Sequence, residues 1–238
     1  DDIPDDGVTI FSAHGVSEKV EQEAKRRNLP AIDATCPLVS KVHREGQNHA
    51  RRGREVILIG HDGHPEVEGT RGRIPGGVHL VINPGDLSSL QIRNSKKVAY
   101  VTQTTLSVDD TREVINALKL RFNKIVGPDV KAICYATQNR QQAVRDLANQ
   151  VDLLLVVGAR NSSNSNRLCE IGSETGIPSY LIDDAESLDP AWLANVGTVG
   201  VTAGASAPEE LVQELIARLG DFGPVQVQET GGIDEHMQ

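Results

Sequence analysis

No apolar run in the sequence approaches the ~18 residues that a membrane span requires. Positive charge is also short: 24 Lys and Arg stand against 33 Asp and Glu, for a net charge of −9. That balance argues against a general nucleic-acid or anionic-membrane surface, so a phosphate ligand would need local donors rather than a positive field. Cysteine is scarce. Three in 238 residues are too few for a disulfide framework, and an odd count fits a reducing compartment. A bacterial cytoplasm is the expected setting. The first residue is Asp rather than Met, so an upstream targeting segment, and with it an organelle stroma, stays open. What the chain does have is 38% apolar residues and enough length for one large or two small domains.

It also repeats itself. Cys36 lies 24 residues before Gly60, which ends the run Val56-Ile57-Leu58-Ile59, and Cys134 lies 24 before Gly158, which ends Leu153-Leu154-Leu155-Val156-Val157. Further on, Leu80-Val81-Ile82-Asn83 aligns with Tyr180-Leu181-Ile182-Asp183, and Val101-Thr102 with Val201-Thr202, both 100 residues apart. Val8-Thr9-Ile10-Phe11-Ser12 reads as the last strand of a third, partial copy without its front half. The chain therefore reads as a fragment: residues 1–33 ending a first α/β domain, 34–127 a second, 128–220 a third, and 221–238 a Gly-rich acidic tail.

Five β-branched runs, 8–11, 54–59, 97–101, 152–157 and 197–201, read as buried strands, with edge strands near 79–82 and 179–182. Between them, Val108, Val114, Ile115 and Leu118 share a helical face, as do Leu211, Leu215, Ile216 and Leu219. Alternating strands and helices predict mainly parallel sheets built from right-handed βαβ units. The strand-end loops, where open α/β sheets bind ligands, carry Ser12-Ala13-His14-Gly15, His61-Asp62-Gly63-His64-Pro65-Glu66, Thr102-Gln103-Thr104-Thr105, Asn161-Ser162-Ser163-Asn164-Ser165-Asn166 and Thr202-Ala203-Gly204-Ala205-Ser206. Small hydroxyl, amide and imidazole groups at helix starts make an anion-binding surface from neutral donors.

Either Cys36 or Cys134 alone would read as a buried structural thiol. Equivalent placement in two repeats changes that. Three repeats around a pseudo-threefold axis would bring equivalent thiolates together, and three converging thiolates suit an iron–sulfur cluster better than a four-ligand structural zinc. Cys169 has no counterpart and reads as a packing residue. His61, His64 and Glu66 admit a zinc-hydrolase reading, but HExxH spacing is absent and Pro65 favours a loop. The alternative is that His64 meets an anion while Glu66 transfers protons. Ser162, Ser163 and Asn164 read as a phosphate cradle or as a plain polar loop. Ser206 is an anion donor or, with Glu209, half of a capping box; His14 is a loop residue raised to interest by its strand-end position.

With those residues in place, the chain closely resembles the 4-hydroxy-3-methylbut-2-enyl diphosphate reductases of the non-mevalonate isoprenoid pathway. The matching segments are Phe11-Ser12-Ala13-His14-Gly15-Val16, Ala34-Thr35-Cys36-Pro37, Gly63-His64-Pro65-Glu66-Val67-Glu68-Gly69-Thr70 and Thr102-Gln103-Thr104-Thr105-Leu106-Ser107. They continue with Ile133-Cys134-Tyr135-Ala136-Thr137, Asn161 through Leu168, and Thr202 through Pro208, so the resemblance covers about residues 7 to 220. It implies three similar α/β domains in a pseudo-threefold arrangement around a central [4Fe–4S] cluster with one open iron. Each domain supplies one cysteine: Cys36 and Cys134 match two, and the third is missing from this chain. It implies that His14, His64, Ser162, Ser163, Asn164 and Ser206 bind the diphosphate. Glu66 would deliver protons, and Thr104 would line their relay and the substrate pocket. Electrons would come from a ferredoxin- or flavodoxin-type carrier; no nucleic acid or membrane partner is implied. The substrate's hydroxyl would leave as water, giving isopentenyl and dimethylallyl diphosphates. With one cysteine absent, the fragment alone is expected to be inactive. The rival from another class is a non-redox diphosphate-binding module with structural cysteines.

Overall fold

The computed structural model describes residues 3–4, 7–128 and 134–230. Ile133 of the second cysteine motif and the last residues, 231–238, lie outside them. The chain divides into two compact units with the boundary between Cys134 and Tyr135.

The first unit opens with β1 (Thr9–Phe11), α1 (Glu18–Arg26) and β2 (Ala31–Asp33), a βαβ turn whose strands pair in parallel. Helix α1 forms because Ser17 accepts the Val20 N–H at its start, with Glu18 and Glu21 in the first turn and Lys25 and Arg26 in the last. A larger repeat follows: α2 (Pro37–Arg51), β3 (Glu55–Ile59), α3 (Pro65–Arg71), β4 (Val78–Val81), β5 (Val98–Thr102) and α4 (Val108–Arg121). Its sheet runs β4-β3-β5, all parallel, so the most apolar strand is central. The pleat sorts β3 into two faces. Ile57 and Ile59 pack with Tyr100 and the Val114, Ile115 and Leu118 stripe of α4. Val56 and Leu58 pack on the other side with Val42 of α2 and Val67 of α3. Each such buried side chain contributes about 1.5–3 kcal/mol of transfer free energy.

The second unit repeats the plan with α5 (Tyr135–Ala148), β6 (Leu153–Val157), α6 (Ser163–Glu174), β7 (Ser179–Ile182), β8 (Val199–Ala203) and α7 (Glu209–Gly220). Its parallel sheet has the order β7-β6-β8. Leu153, Leu155 and Val157 face α7, while Leu154 and Val156 face Leu168 and Ile171 of α6 and Val144 of α5. No helix among the described residues is long and apolar enough to cross a membrane.

Three expectations change. Strand β2 gave no signal, because its three residues are all exposed and carry no apolar run. Strand β8 starts at Val199 rather than at 197, because Asp152 Oδ2 accepts the N–H groups of Gly197 and Thr198 at 3.0 and 2.8 Å and holds them in the approach loop. The later part of the repeat aligns at 101 residues, not 100. Gly60 donates to Val81 O and Gly158 to Ile182 O; Gln103 donates to Ile59 O and Gly204 to Val157 O. Ile59 is 22 residues from its partner Val81, whereas Val157 is 25 from Ile182, the longer α6 taking up the difference. A one-residue slip exchanges the two faces of a strand, so the corrected register matters for every equivalence drawn between the repeats.

Candidate functional site

In the first unit the loop after β3 delivers His64 as the N-cap of α3. Pro65 takes the first helical position, where no N–H is needed, and the His64 ring accepts the Glu66 N–H on Nδ1 at 3.2 Å. An accepting Nδ1 places the ring proton on Nε2. Burial, with His14 and His61 adding repulsion, lowers the His64 pKa to about 4. It is therefore a neutral imidazole with one N–H to offer. The His14 ring meets it edge-on, 5.5 Å between centroids at 82°, and His14 Nδ1 lies 3.3 Å from Ser12 Oγ.

Two residues beyond the cap, Glu66 is 1% exposed. Its Oε1 accepts the Thr104 backbone N–H at 2.7 Å and its Oε2 the Thr104 hydroxyl at 2.9 Å. Burial raises the Glu66 pKa to about 7, with the two Thr104 hydrogen bonds pulling the other way. A carboxyl divided between its two forms near neutrality is suited to giving and regaining protons. Both bonds come from Thr104, on the loop after β5 and 38 positions away along the chain.

The two cysteines are placed alike. Cys36 immediately precedes α2 and caps it only through the backbone; its N–H donates to Ala13 O at 3.0 Å. Cys134 immediately precedes α5, and its N–H donates to Thr104 O at 3.1 Å. Ala13 and Thr104 each lie two residues past the last strand of the preceding copy, β1 or β5. Each thiol is thus hung from the strand-end loop of the copy before it. Thr104 holds Glu66 with its N–H and hydroxyl and Cys134 with its carbonyl. Both thiols are free and half-buried. No group of three or more His, Cys, Asp or Glu side chains among the described residues is arranged to hold a metal ion.

In the second unit Ser162 caps α6, its Oγ accepting from the Ser165 N–H at 3.3 Å and the Ser165 hydroxyl at 3.0 Å; Ser163 is the first helical residue. Asn164 is 5% exposed, and neither its amide N nor its amide O has a partner among the described residues. A buried unsatisfied amide costs about 1–3 kcal/mol, so this one is a candidate to meet a ligand. The loop also divides its residues by role. Asn166 spends its amide on Arg160 O and Ser162 O, and Arg167 is held by Glu170 and Glu174. Ser206, after β8, is exposed and caps nothing: α7 begins at Glu209 behind Pro208 with no side-chain cap, so the capping-box alternative falls. Cys169 packs in the core and points its thiol at Ser179 O, 3.2 Å away.

Sequence reasoning missed His43, Gln103 and Gly69. Gln103 Oε1 accepts the His61 N–H at 3.1 Å and its amide donates to Thr105, fixing the β3 loop onto the β5 loop. His43 is 6% exposed, with its pKa lowered to about 4 by burial. Its sole sequence signal was a histidine on the apolar face of α2.

The family whose model is described as LytB protein matches residues 1–220. A Zymomonas mobilis protein named 4-hydroxy-3-methylbut-2-enyl diphosphate reductase is 58% identical over 236 residues, 99% of this chain and 69% of that one. A Burkholderia pseudomallei protein of the same name is 58% identical over 238 residues, 100% of this chain and 76% of that one. Among solved structures, the E-1-hydroxy-2-methyl-but-2-enyl-4-diphosphate reductase of Plasmodium falciparum superposes with a TM-score of 0.85 at 40% identity, over 91% of this chain and 68% of that one. A second reductase structure, described as the terminal enzyme of the non-mevalonate pathway, matches at a TM-score of 0.59 and 34% identity, over 89% and 75%.

Proposed function

The chain belongs to the LytB protein family, with 4-hydroxy-3-methylbut-2-enyl diphosphate reductases as its relatives, and from that premise we propose how its own residues serve that reaction. The reaction is a reductive dehydroxylation. The carbon–oxygen bond of the allylic hydroxyl breaks, the oxygen leaves as water with one added proton, and the allylic frame takes up two electrons and a second proton. The products are isopentenyl and dimethylallyl diphosphates.

The observation that carries this reading is the Glu66 carboxyl, buried, held at both oxygens by Thr104 and balanced near neutrality. With Oε1 occupied by a backbone N–H, the carboxyl takes its proton on Oε2, and the Thr104 hydroxyl, which donates to Oε2 in the ionised form, then turns to accept it. That hydroxyl passes a proton on without becoming charged, since it donates and accepts together. Delivery at the departing oxygen turns hydroxide, a poor leaving group, into water. Burial matters twice here. It keeps a large share of Glu66 protonated near neutral pH, and it excludes bulk water from the relay.

The diphosphate takes its donors from His14, His64, Ser162, Ser163, Asn164 and Ser206. His64 offers Nε2–H without a positive charge, Asn164 its unspent amide, and Ser206 an uncommitted hydroxyl. A set of neutral donors binds the anion without fixing a Lys or Arg charge beside the reacting centre.

The donor chemistry fits an iron–sulfur cluster, in the [4Fe–4S] form with three thiolate ligands. Cys36 and Cys134 are soft, reduced, half-buried ligands fixed by equivalent backbone hydrogen bonds, and they supply two of the three. Bound there, the cluster would supply electrons singly and an open iron as a Lewis acid for the hydroxyl. A ferredoxin- or flavodoxin-type carrier would replenish the electrons, in a reducing compartment such as the bacterial cytoplasm.

The test is turnover of the diphosphate substrate, with iron and sulfide content, after anaerobic reconstitution with a reduced carrier, on the 238-residue chain, expected inactive, and on a chain that carries the third cysteine. Substrate reduction that Glu66→Gln abolishes while iron content is kept supports the reading. Diphosphate binding without iron incorporation or reduction under any reconstitution would replace it with a non-redox binding module.

A further inference from the structure

Gly15 follows His14 and closes the turn after β1, its N–H donating to Ser12 O at 2.9 Å. Its φ of +72° lies in the left-handed region where an L side chain is strained. Two helices meet this one residue. From α2, the buried His43 ring brings Cε1 to 2.7 Å from where a Gly15 Cβ would stand, with Thr35 and Val39 at 3.2 and 3.3 Å. From α3, Gly69 lies against the carbonyl of Gly15: a Cβ on Gly69 would stand 2.9 Å from Gly15 O and 3.1 Å from Gly15 C. The atoms it would strike are backbone, with no flexible end to swing away. The same α3 carries His64 and Glu66 at its start.

The two glycines therefore let the backbone that carries His14 come into contact with the helix that carries His64. A shift of the turn away from α3 has to be taken up on the side of α2, where His43 stands. His43 also sits uneasily by the measure of stability alone, because its Nε2 is buried without a partner. An apolar side chain would avoid that desolvation penalty.

We propose that Gly69 and His43 are positioning residues of the diphosphate site: they hold the Gly15 turn from two helices and so set His14 against His64. Neither needs to touch substrate. The inference rests on the diphosphate reading for its consequence, but its geometric content stands apart from it. Substituting Gly69 by Ala pushes the turn, and His14 with it, away from His64. Substituting His43 by Ala opens the space into which the turn can retreat.

The experiment uses the 238-residue chain and inorganic pyrophosphate as probe. Gly69→Ala, His43→Ala and the double variant are compared with wild type for pyrophosphate affinity, thermal midpoint and imidazole Cε1–H resonances. His14→Gln and His64→Gln assign those resonances. Rings 5.5 Å apart shift each other's resonances. In Gly69→Ala both should move, and pyrophosphate affinity should fall by about tenfold or more, a loss of about 1.4 kcal/mol. The double variant should recover the thermal midpoint lost in Gly69→Ala yet stay weak for pyrophosphate, since room for the turn is not return of the turn. Affinity and thermal midpoint falling and recovering together would mean a merely structural role. Unmoved resonances with wild-type affinity in Gly69→Ala would overturn the proposal outright. Should wild type itself fail to bind pyrophosphate, the diphosphate reading falls, and the resonances alone decide the positioning role.

Discussion

The two full repeats share strand order, parallel register and a glycine after the central strand, yet they furnish that strand-end loop with opposite chemistry. In the first, β3 leads to His64 and Glu66, both with displaced pKa values, and a helix of seven residues. In the second, β6 leads to Ser162, Ser163 and Asn164, none of them titratable, and a helix of twelve. The flanking strands differ as well: β5 is buried along its whole length, β8 only at Gly200. Burial is what makes a carboxyl hold its proton at pH 7, so the drier repeat is the one able to carry proton chemistry. The other copy offers Ser162, Ser163 and Asn164, whose donors stay uncharged at any ordinary pH. By the proposed reading one scaffold places its proton donor on the first copy, beside the anion donor His64, and leaves the second copy with untitratable anion donors only.

Glu66→Gln should break the first side of that contrast. In a chain that carries the third cysteine, substrate reduction is expected to fall by about 10²–10⁴-fold with KM little changed, as steady-state kinetics would show. Loss of binding instead would place Glu66 on the recognition side. The pH dependence follows from the same group. Its pKa rises from 4.5 to about 7 on folding, so the folded chain binds this proton more tightly than the unfolded one. Its contribution to stability is therefore full below about 4.5 and is lost as pH rises through 7, by about 3 kcal/mol in all. His43 has the opposite sign. Its pKa falls from 6.5 to about 4 as burial, helped by Arg73 and opposed by Asp33, disfavours the cation, so stability is lost as pH falls from 6.5 to 4. Urea midpoints at pH 5 and pH 8 should show Glu66→Gln gaining on wild type as pH rises. Catalysis that needs the Glu66 proton should decline above pH about 7 in the same preparation.

In the second repeat, Asn164→Ala removes an amide that has no partner in the fold. Thermal stability should hold or rise, while pyrophosphate affinity drops about tenfold, the worth of one or two well-made hydrogen bonds. A fall in thermal midpoint would show that Asn164 is structural. The smallest effect is expected from Ser206→Ala. Ser206 is exposed and caps no helix, so pyrophosphate binding should weaken less than tenfold with an unchanged midpoint in calorimetry. A midpoint that dropped would restore the capping role that the position of α7 removes.

Much of this was legible before folding. Runs such as 153–157 are apolar at every position and β-branched or aliphatic, bounded by Asp152 and Gly158, which fits a strand covered on both faces. The loops were visible because small polar residues follow such strands abruptly, and the repeat singled out Cys36 and Cys134 by position. What escaped was whatever depends on contacts distant in sequence. Strand β2 is short and exposed, so it pairs with β1 without leaving a hydrophobic signature. The start of β8 was misread because Asp152, 45 residues before Gly197, ties down the residues that read as its start. Ser206 carried a capping pattern that Pro208 displaced.

The sequence by itself determined the α/β class, the parallel strands, the repeat and the kinds of residue offered at each strand end, because these follow from periodicity and local chemistry. Only the tertiary structure decided which of those residues are buried together. It put the Thr104 N–H and hydroxyl on the two oxygens of Glu66, and the Thr104 carbonyl on Cys134. It raised the Glu66 pKa, lowered those of His43 and His64, left Asn164 unsatisfied, and pressed Gly69 against Gly15. Desolvation and close approach are properties of three-dimensional neighbours, and a sequence lists only neighbours along the chain.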